Sequence, residues 1–339
     1  MDQISYFETG TTWAPQNLAT EEALSLAVSQ GFPGGFMLWQ NAPSVIIGRH
    51  QNAFSEVNIH ELKTKRGNDL VRRMTGGGAV YHDLGNLNFS FILSLRDRPE
   101  PTNQAFLAPL IDYFKSLGLS VVMEGRNDLS IAKVGKFSGL AGRRFQNGWQ
   151  LHGTIMYDVD MSVLEKVLLV DPAKFRGKGV ASVRARVTNL KPHLSPSITL
   201  SDLWAGIQGA YGYPAKPLPY DIQRLALKLT EEKYGQDAWN IGQSPPADLL
   251  LKNRFPFGAL ELHLSVANNK IQAAKLTGDF LTPSDQTEQI PVDRLEAALL
   301  TLPADDRALW AKAWHDLNLK RAFYGQVDQT EIENWLKGD

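Results

Sequence analysis

Five apolar runs follow one another between residues 36 and 95: "FMLWQ", "SVIIG", "LVRRM", "AVYHD" and "LNFSFILSL". Each has about the length of a strand and is bounded by Gly, Pro, Asn or Asp. They do not alternate with helical patterns as a doubly wound sheet requires, so the sequence predicts an α+β fold.

The flanking segments agree. "QISYFETG" reads as an opening strand. Residues 17–31 read as a helix, with Asn17 as cap, Glu21 and Glu22 near its N-terminal dipole and Gly31 as stop. Residues 103–119 form a second amphipathic pattern. "SVVMEG" and "DLSIA" read as strands, and hairpins are expected around Gly135 and "QNGW", followed by a buried strand at "HGTIMYDV". Helices are expected near residues 163–169 and 201–211. The proline-rich "YGYPAKPLPY" is a linker or an extended excursion, followed by a helix in "DIQRLALKLTEEKYG". After "WNIGQSPP" the pattern restarts, with two strands around "ANNK" and helices near 291–300, 305–317 and 329–337. The length suits two units, a larger one over 1–243 and a small accessory one over 244–339.

Composition removes several kinds of chemistry. With 35 Lys and Arg against 36 Asp and Glu, the formal net charge is -1, which gives no reason to expect a long nucleic acid partner. There is no cysteine, which excludes disulfides, zinc–thiolate sites and thiolate nucleophiles. No basic and apolar leader opens the chain, and no apolar run approaches the roughly 18 residues of a membrane helix, so a soluble cytoplasmic protein is expected. The sequon "NFS" at Asn88 is then a chance match.

The segment with most chemical content is "RRMTGGGAVYHDLGNLNFSF", residues 72–91. Three glycines in a row leave amides uncovered, and such amides can form an anion-binding concavity. Arg73 could add a bidentate charge. A glycine-rich turn beside two surface arginines is the plainer reading. The known nucleotide loops do not fit, because Tyr81 stands where GxGxxG needs glycine and no Gly-Lys-Ser/Thr follows. Further along, "GRNDLSI" carries Asn127 and Asp128, "KFSG" carries Lys136, "HGTIMYD" carries His152, and "GKGVASVRARVTN" carries Lys178, Arg184 and Arg186. Singly, each has an ordinary structural explanation.

Together, in this order and separation, these segments and "NLATEE" resemble the lipoate-protein ligase A family, within the wider lipoyl ligase, octanoyltransferase and biotin ligase superfamily. The likeness extends through "WNIGQSP" and "RFPFGALELHLSVANNKI" into the accessory unit. The resemblance implies a mixed-sheet catalytic domain that joins free lipoate to ATP, giving lipoyl-AMP and pyrophosphate. A lysine of a lipoyl carrier domain then takes the acyl group. It implies Lys136 as the catalytic ammonium, and Arg73, Gly76, Gly77, Gly78, Ala79, Val80, Tyr81 and Lys136 on ATP. It also implies His82, Asn127, Asp128, His152 and Lys178, with Lys136, around lipoate or its adenylate. Asp128 is a candidate for Mg²⁺. The implied carriers are a 2-oxoacid dehydrogenase E2 domain, the glycine-cleavage H protein or a specialised lipoyl carrier. A monomer is expected.

Leu140, Ala141 and Gly142 depart from the pattern of relatives at the acyl tunnel. Three alternatives stand beside this reading. Acyl transfer between carriers uses a cysteine thiolate in relatives, and this chain has none. Biotin ligation normally shows a GRGRRG-like loop, which is missing. The third is a carrier-binding homologue without catalysis, against which the retained Arg73, glycines, Asp128 and Lys136 argue.

Overall fold

The computed structural model describes residues 4–64, 69–96, 101–125, 127–169, 187–242, 248–282 and 290–338. The fold is α+β. Its main element is a seven-stranded mixed sheet in the order β1-β2-β6-β10-β9-β8-β7. The strands are β1 (Ser5–Glu8), β2 (Gly34–Trp39), β6 (Asn86–Ser94), β7 (Val121–Glu124), β8 (Asp128–Ile131), β9 (Gly135–Phe145) and β10 (Gly148–Met156). A smaller sheet, β4-β3-β5, is built from β3 (Ser44–Ile47), β4 (Asp69–Arg72) and β5 (Val80–His82). All five apolar runs of the opening argument are strands.

Strand alternation makes the two faces of the large sheet chemically different. On β6, Leu87, Phe89, Phe91 and Leu93 point into an apolar core with Phe106, Leu107, Leu110 and Phe114 of α4 (Asn103–Ser116) and Leu203 and Ile207 of α6 (Leu200–Tyr211). The intervening Asn86, Asn88 and Ser90 are also buried, on the opposite face. That face is covered by α1 (Ala14–Ser29) and the small sheet, with Met37, Trp39, Ile46, Val71 and Ile92 in their shared core. A buried polar stripe on a sheet is costly unless each group finds a partner, so this face marks the site.

One expectation needs correction. Helix α1 starts nearly a turn earlier than residue 17, with Pro15 in its first turn. Asn17 is therefore not a cap; it is buried, and its Nδ2 donates to Thr11 O at 3.2 Å, Gln40 O at 2.7 Å and Asn41 Oδ1 at 2.8 Å. Of the two readings of "YGYPAKPLPY", the structure shows the extended excursion. Tyr6 N–H donates to Pro214 O and Lys216 N–H to Tyr6 O, both at 3.0 Å, so the strap adds to the sheet edge beside β1. The two short helices α2 (Ala53–Glu56) and α3 (Ile59–Thr64) were not foreseen.

The C-terminal unit has its own sheet of β11 (Leu249–Phe255), β12 (Gly258–Ala267) and β13 (Lys270–Gly278). Asn268 and Asn269, with φ of 50° and 57°, make the tight turn expected at "ANNK". Strand β11 was missed, because only Leu251 and Phe255 of its seven residues are buried and the apolar alternation is broken. Helices α9 (Val292–Ala297), α10 (Arg307–His315) and α11 (Gln329–Lys337) close a separate core around Leu262, Leu276, Phe280, Trp310, Trp314 and Phe323. The boundary expected at 243 lies outside the described residues. Among the described residues, no helix is long and apolar enough to cross a membrane.

Candidate active site

The two arginines before the glycines are both held by the chain's own carbonyls. Arg72 is fully buried. Its guanidinium donates to Trp239 O (3.1 Å), Gly48 O (3.1 Å), Arg49 O (3.2 Å), Gln51 O (2.6 Å) and Asn240 O (3.0 Å). It is a structural rivet between the 48–51 loop and the short helix that carries Trp239 and Asn240. Arg73 donates through Nε to Thr75 Oγ1 (3.0 Å), through Nη1 to Ile46 O (3.2 Å) and through Nη2 to Gly76 O (2.7 Å) and Gly78 O (2.8 Å). These bonds engage four of the five N–H groups a guanidinium offers, so a surface arginine is ruled out and the side chain shapes the glycine loop directly. Burial lowers the Arg73 pKa to about 10 while Glu21 pulls it back, so the charge persists at neutral pH.

The loop itself is in close contact with its surroundings. Gly77 has φ of 90°, a conformation that suits glycine. A Cβ on Gly48 would strike Gly77 O, and one on Gly76 would strike Phe280 O of the C-terminal unit. Gly77 N–H donates to Phe280 O at 3.2 Å, Gly278 N–H donates to His50 O at 2.9 Å, and the His50 ring stacks on Phe280 at 4.9 Å. In this arrangement Gly77 spends its amide on the C-terminal unit, while Gly78 faces open space.

A buried polar relay supports the loop from behind. Glu21 of α1 accepts from Ser90 Oγ at 2.5 Å and faces His152 Nδ1 at 2.9 and 3.1 Å. His152 Nε2 meets Thr75 Oγ1 at 2.7 Å, and Thr75 accepts from Arg73. Burial opposes ionisation of Glu21, but the charge and hydrogen bond of His152, with the Ser90 and Gln150 bonds, outweigh it and hold the carboxyl below the ordinary carboxylate range. Glu21 is thus a structural anion on which the relay rests. The sequence reading placed it at a helix dipole and missed this role.

A cavity of about 140 Å³ opens between the two sheets. The large sheet contributes Trp39, Asn88, Gly139, Leu140, Ala141, His152 and Thr154; the small sheet and its loop contribute Ile46, Arg73, Gly77, Gly78, Ala79, Val80 and His82. Leu18 of α1 closes one side, and Asn127 and Lys136 stand at another. Lys136 Nζ pairs with Asp128 Oδ1 at 2.7 Å, with the two side chains 34% and 32% exposed. The structure therefore brings together Arg73, Gly77, Gly78, Ala79, Val80, His82, Asn127, Lys136 and His152. The Tyr81 side chain takes no part: it lies on the other face of β5, packed with Val45, Ile47 and Val159. Gly76 is turned to Phe280 rather than to the cavity. Lys178, Arg184 and Arg186 lie outside the described residues. Trp39, Leu18, Thr154 and Asn88 were not anticipated; strand spacing to the glycine loop could have placed Asn88, had its sequon match not been set aside.

Among the described residues, no group of three or more His, Asp or Glu gathers to hold a metal. Magnesium commonly needs only one or two carboxylates beside substrate phosphates and water, and Asp128, partly exposed beside Lys136, suits that.

The family model for the lipoyl protein ligase A/B catalytic domain matches residues 14–211, and that for the bacterial lipoate protein ligase C-terminus matches 244–336. The chain belongs to the lipoate-protein ligase family. Lipoate–protein ligase 1 of Staphylococcus aureus is 33% identical over 322 residues, covering 93% of this chain and 94% of that one. Two solved structures share the fold. One is the bi-partite lipoate protein ligase of an archaeal lipoylation system, with its E2 lipoyl domain, from Thermoplasma acidophilum (27% identity, TM-score 0.62, 74% of this chain and 100% of that one). The other is a lipoate-protein ligase A bound with ATP (26% identity, TM-score 0.58, 71% and 98%). This protein is an enzyme, a ligase.

Proposed function

We propose that this ligase activates free lipoate with ATP and attaches the lipoyl group to a lysine of a lipoyl carrier domain. The observation that carries the reading is a cavity between two sheets, long enough for an acyl chain, into whose lining, among the described residues, one lysine ammonium enters, that of Lys136. In the first step a lipoate carboxylate oxygen attacks the α-phosphorus of ATP; a P–O bond forms, the bond to the β-phosphate breaks, and pyrophosphate leaves. Both reactants are anionic, so an ammonium between them lowers their repulsion and stabilises the charge that builds on phosphorus. In the second step the neutral amine of the carrier lysine attacks the acyl carbonyl, AMP leaves, and the nitrogen loses a proton to give the amide. Lys136 can polarise that carbonyl.

The remaining roles follow. Arg73 fixes the glycine loop and offers its charge, with its uncommitted Nη1 proton, to the nucleotide phosphates. Gly77 and Gly78 let the backbone approach, with Gly76 behind them against Phe280, and Ala79, Val80 and the Tyr81 backbone continue that wall. Asn127, Asp128, His82 and His152 border the acid and its adenylate, to which the family resemblance adds Lys178. Asp128 orients Lys136 and, through water, would help hold Mg²⁺, which supplies further neutralisation of the phosphates. The T. acidophilum system pairs its ligase with an E2 lipoyl domain, which supports a carrier of that kind here; the glycine-cleavage H protein and specialised carriers are the other candidates.

Lipoate-dependent ATP–pyrophosphate exchange tests the reading, with octanoate and biotin in parallel. Exchange with lipoate is expected. Silence with all three acids in folded protein would remove the adenylation step.

A further inference from the structure

The inner end of the cavity holds a feature that an apolar acyl chain alone does not explain. His82 and Asn88 both line the cavity and are 3% and 1% exposed, yet among the described residues His82 Nε2 and Asn88 Nδ2 have no hydrogen-bond partner. The hydrogen-bond order fixes what His82 presents. Asn17 Nδ2 faces two backbone carbonyls, Thr11 O and Gln40 O, so its orientation is set. It therefore meets the oxygen of Asn41, and the Asn41 amide nitrogen must face His82 Nδ1, at 3.1 Å. With Nδ1 an acceptor, the neutral ring carries its proton on Nε2, aimed into the cavity. As placed, Asn88 Oδ1 accepts from Asn86 Nδ2 at 2.9 Å and the Asn88 amide nitrogen is the unpaired group.

The two donors both neighbour Trp39, away from Lys136. Trp39 is the register partner of Asn88, and the His82 ring packs edge-on to Trp39 with centroids 6.2 Å apart. Asn88 is paired with Thr154, and Thr154 Oγ1 accepts from Gly139 N–H at 3.2 Å. Lys136 Nζ lies against Gly139. The path from Asn88 to Gly139 thus crosses two strand spacings, about 10 Å. An extended acid with its carboxylate at Lys136 reaches the donors with its far end, where lipoate carries two sulfurs and a fatty acid carries only hydrocarbon.

We propose that His82 and Asn88 form a donor pair that reads the dithiolane sulfurs and sets the preference for lipoate over a straight-chain acid of equal length. This rests on the functional reading above. Thioether-type sulfur is a weak acceptor, but the alternative for these groups is a buried N–H facing hydrocarbon, which is the costlier state. A site built to donate a hydrogen bond discriminates against an analogue that lacks the acceptor.

The test is acid-dependent ATP–pyrophosphate exchange by the full chain with lipoate, octanoate and the carbocyclic analogue in which both ring sulfurs are methylenes. With the wild-type protein, kcat/KM for lipoate is expected to exceed that for the carbocyclic analogue by roughly five- to tenfold. In Asn88→Leu and His82→Phe, each shown to be folded by its unfolding transition, that ratio is expected to fall towards one. Equal use of lipoate and the carbocyclic analogue by the wild type overturns the proposal without any variant, and so does an unchanged ratio in both variants. Exchange with none of the acids overturns the functional reading, and the proposal with it.

Discussion

The two ends of the cavity are built on opposite plans. At the rim, Lys136 is a long side chain about a third exposed, held by one ion pair to Asp128. At the inner end, His82 and Asn88 are almost fully buried, and His82 is fixed through Asn41 and Asn17 back to α1. The rim suits a group that must follow a reacting carboxylate from one step to the next. The inner end suits recognition, where a donor is useful only if it cannot turn to another partner. Substitutions at the rim are therefore expected to change rates with little effect on stability, and those at the buried end to change stability, acid tolerance and selectivity.

The largest effect is expected from Lys136→Ala. Loss of this ammonium from the reacting atoms should slow acyl-AMP formation by at least about a hundredfold. A partly exposed ion pair is worth at most about 1 kcal/mol, so the urea midpoint should hardly move. Acyl-AMP forming at the normal rate would remove Lys136 from the mechanism.

Glu21→Ala should do the reverse. It leaves His152 and Ser90 without their buried anion, and breaking a buried pair of this kind costs about 3–5 kcal/mol. The pH dependence has a definite sign. The folded-state pKa of Glu21 is depressed, so its contribution is complete above the ordinary carboxylate range and is lost as pH falls through the folded value. Glu21→Gln should flatten that part of the acid limb in urea unfolding curves; an identical limb would mean that the carboxyl is not the titrating group. His82 sharpens the same comparison in a higher window. Burial, then the charges of Arg73 and His152, push its pKa from 6.5 down to about 3. The unfolded chain takes up the proton first, so stability should fall as pH drops from 6.5 towards 3, and less so in His82→Phe.

Arg73→Ala is expected to weaken use of ATP and to lower the urea midpoint by an amount matching about 2–3 kcal/mol, because it leaves the carbonyls of Ile46, Gly76 and Gly78 unpaired. Arg73→Lys should recover little of it, since an ammonium cannot span that fork of acceptors. Normal stability with lost ATP use would assign Arg73 to the phosphates alone.

The sequence made the fold legible where local pattern decides it. The five apolar runs, the "ANNK" turn and the α4 segment depend on near neighbours, and all are in place. What it hid depends on distant partners. Glu21 reads as an ordinary helix acid until β6 and β10 bring Ser90 and His152 against it, residues 69 and 131 positions away. Arg73 reads as a surface charge until the loop wraps around it. Asn17 reads as a cap because Asn is a good cap, and the nearby Pro15 that moves the helix start carries the contrary signal. Strand β11 shows only half a face to its core and so loses the alternation that would announce it.

The smallest predicted effect separates two roles for one carboxylate. Asp128→Asn keeps an acceptor near Lys136 but removes the charge that holds the ammonium at 2.7 Å. If the carboxylate chiefly orients Lys136, kcat for exchange should drop several-fold, the KM for lipoate should stay close to normal, and the loss should persist at saturating magnesium. If it chiefly held the cation, the variant would recover as magnesium is raised, because added ion offsets a weakened site by mass action. The contact made by Asp128 in this structure is the lysine, so persistence is the expected result. Full recovery at high magnesium would transfer Asp128 from the positioning of Lys136 to the binding of the metal, and would leave the rim lysine held by nothing but the substrates it serves.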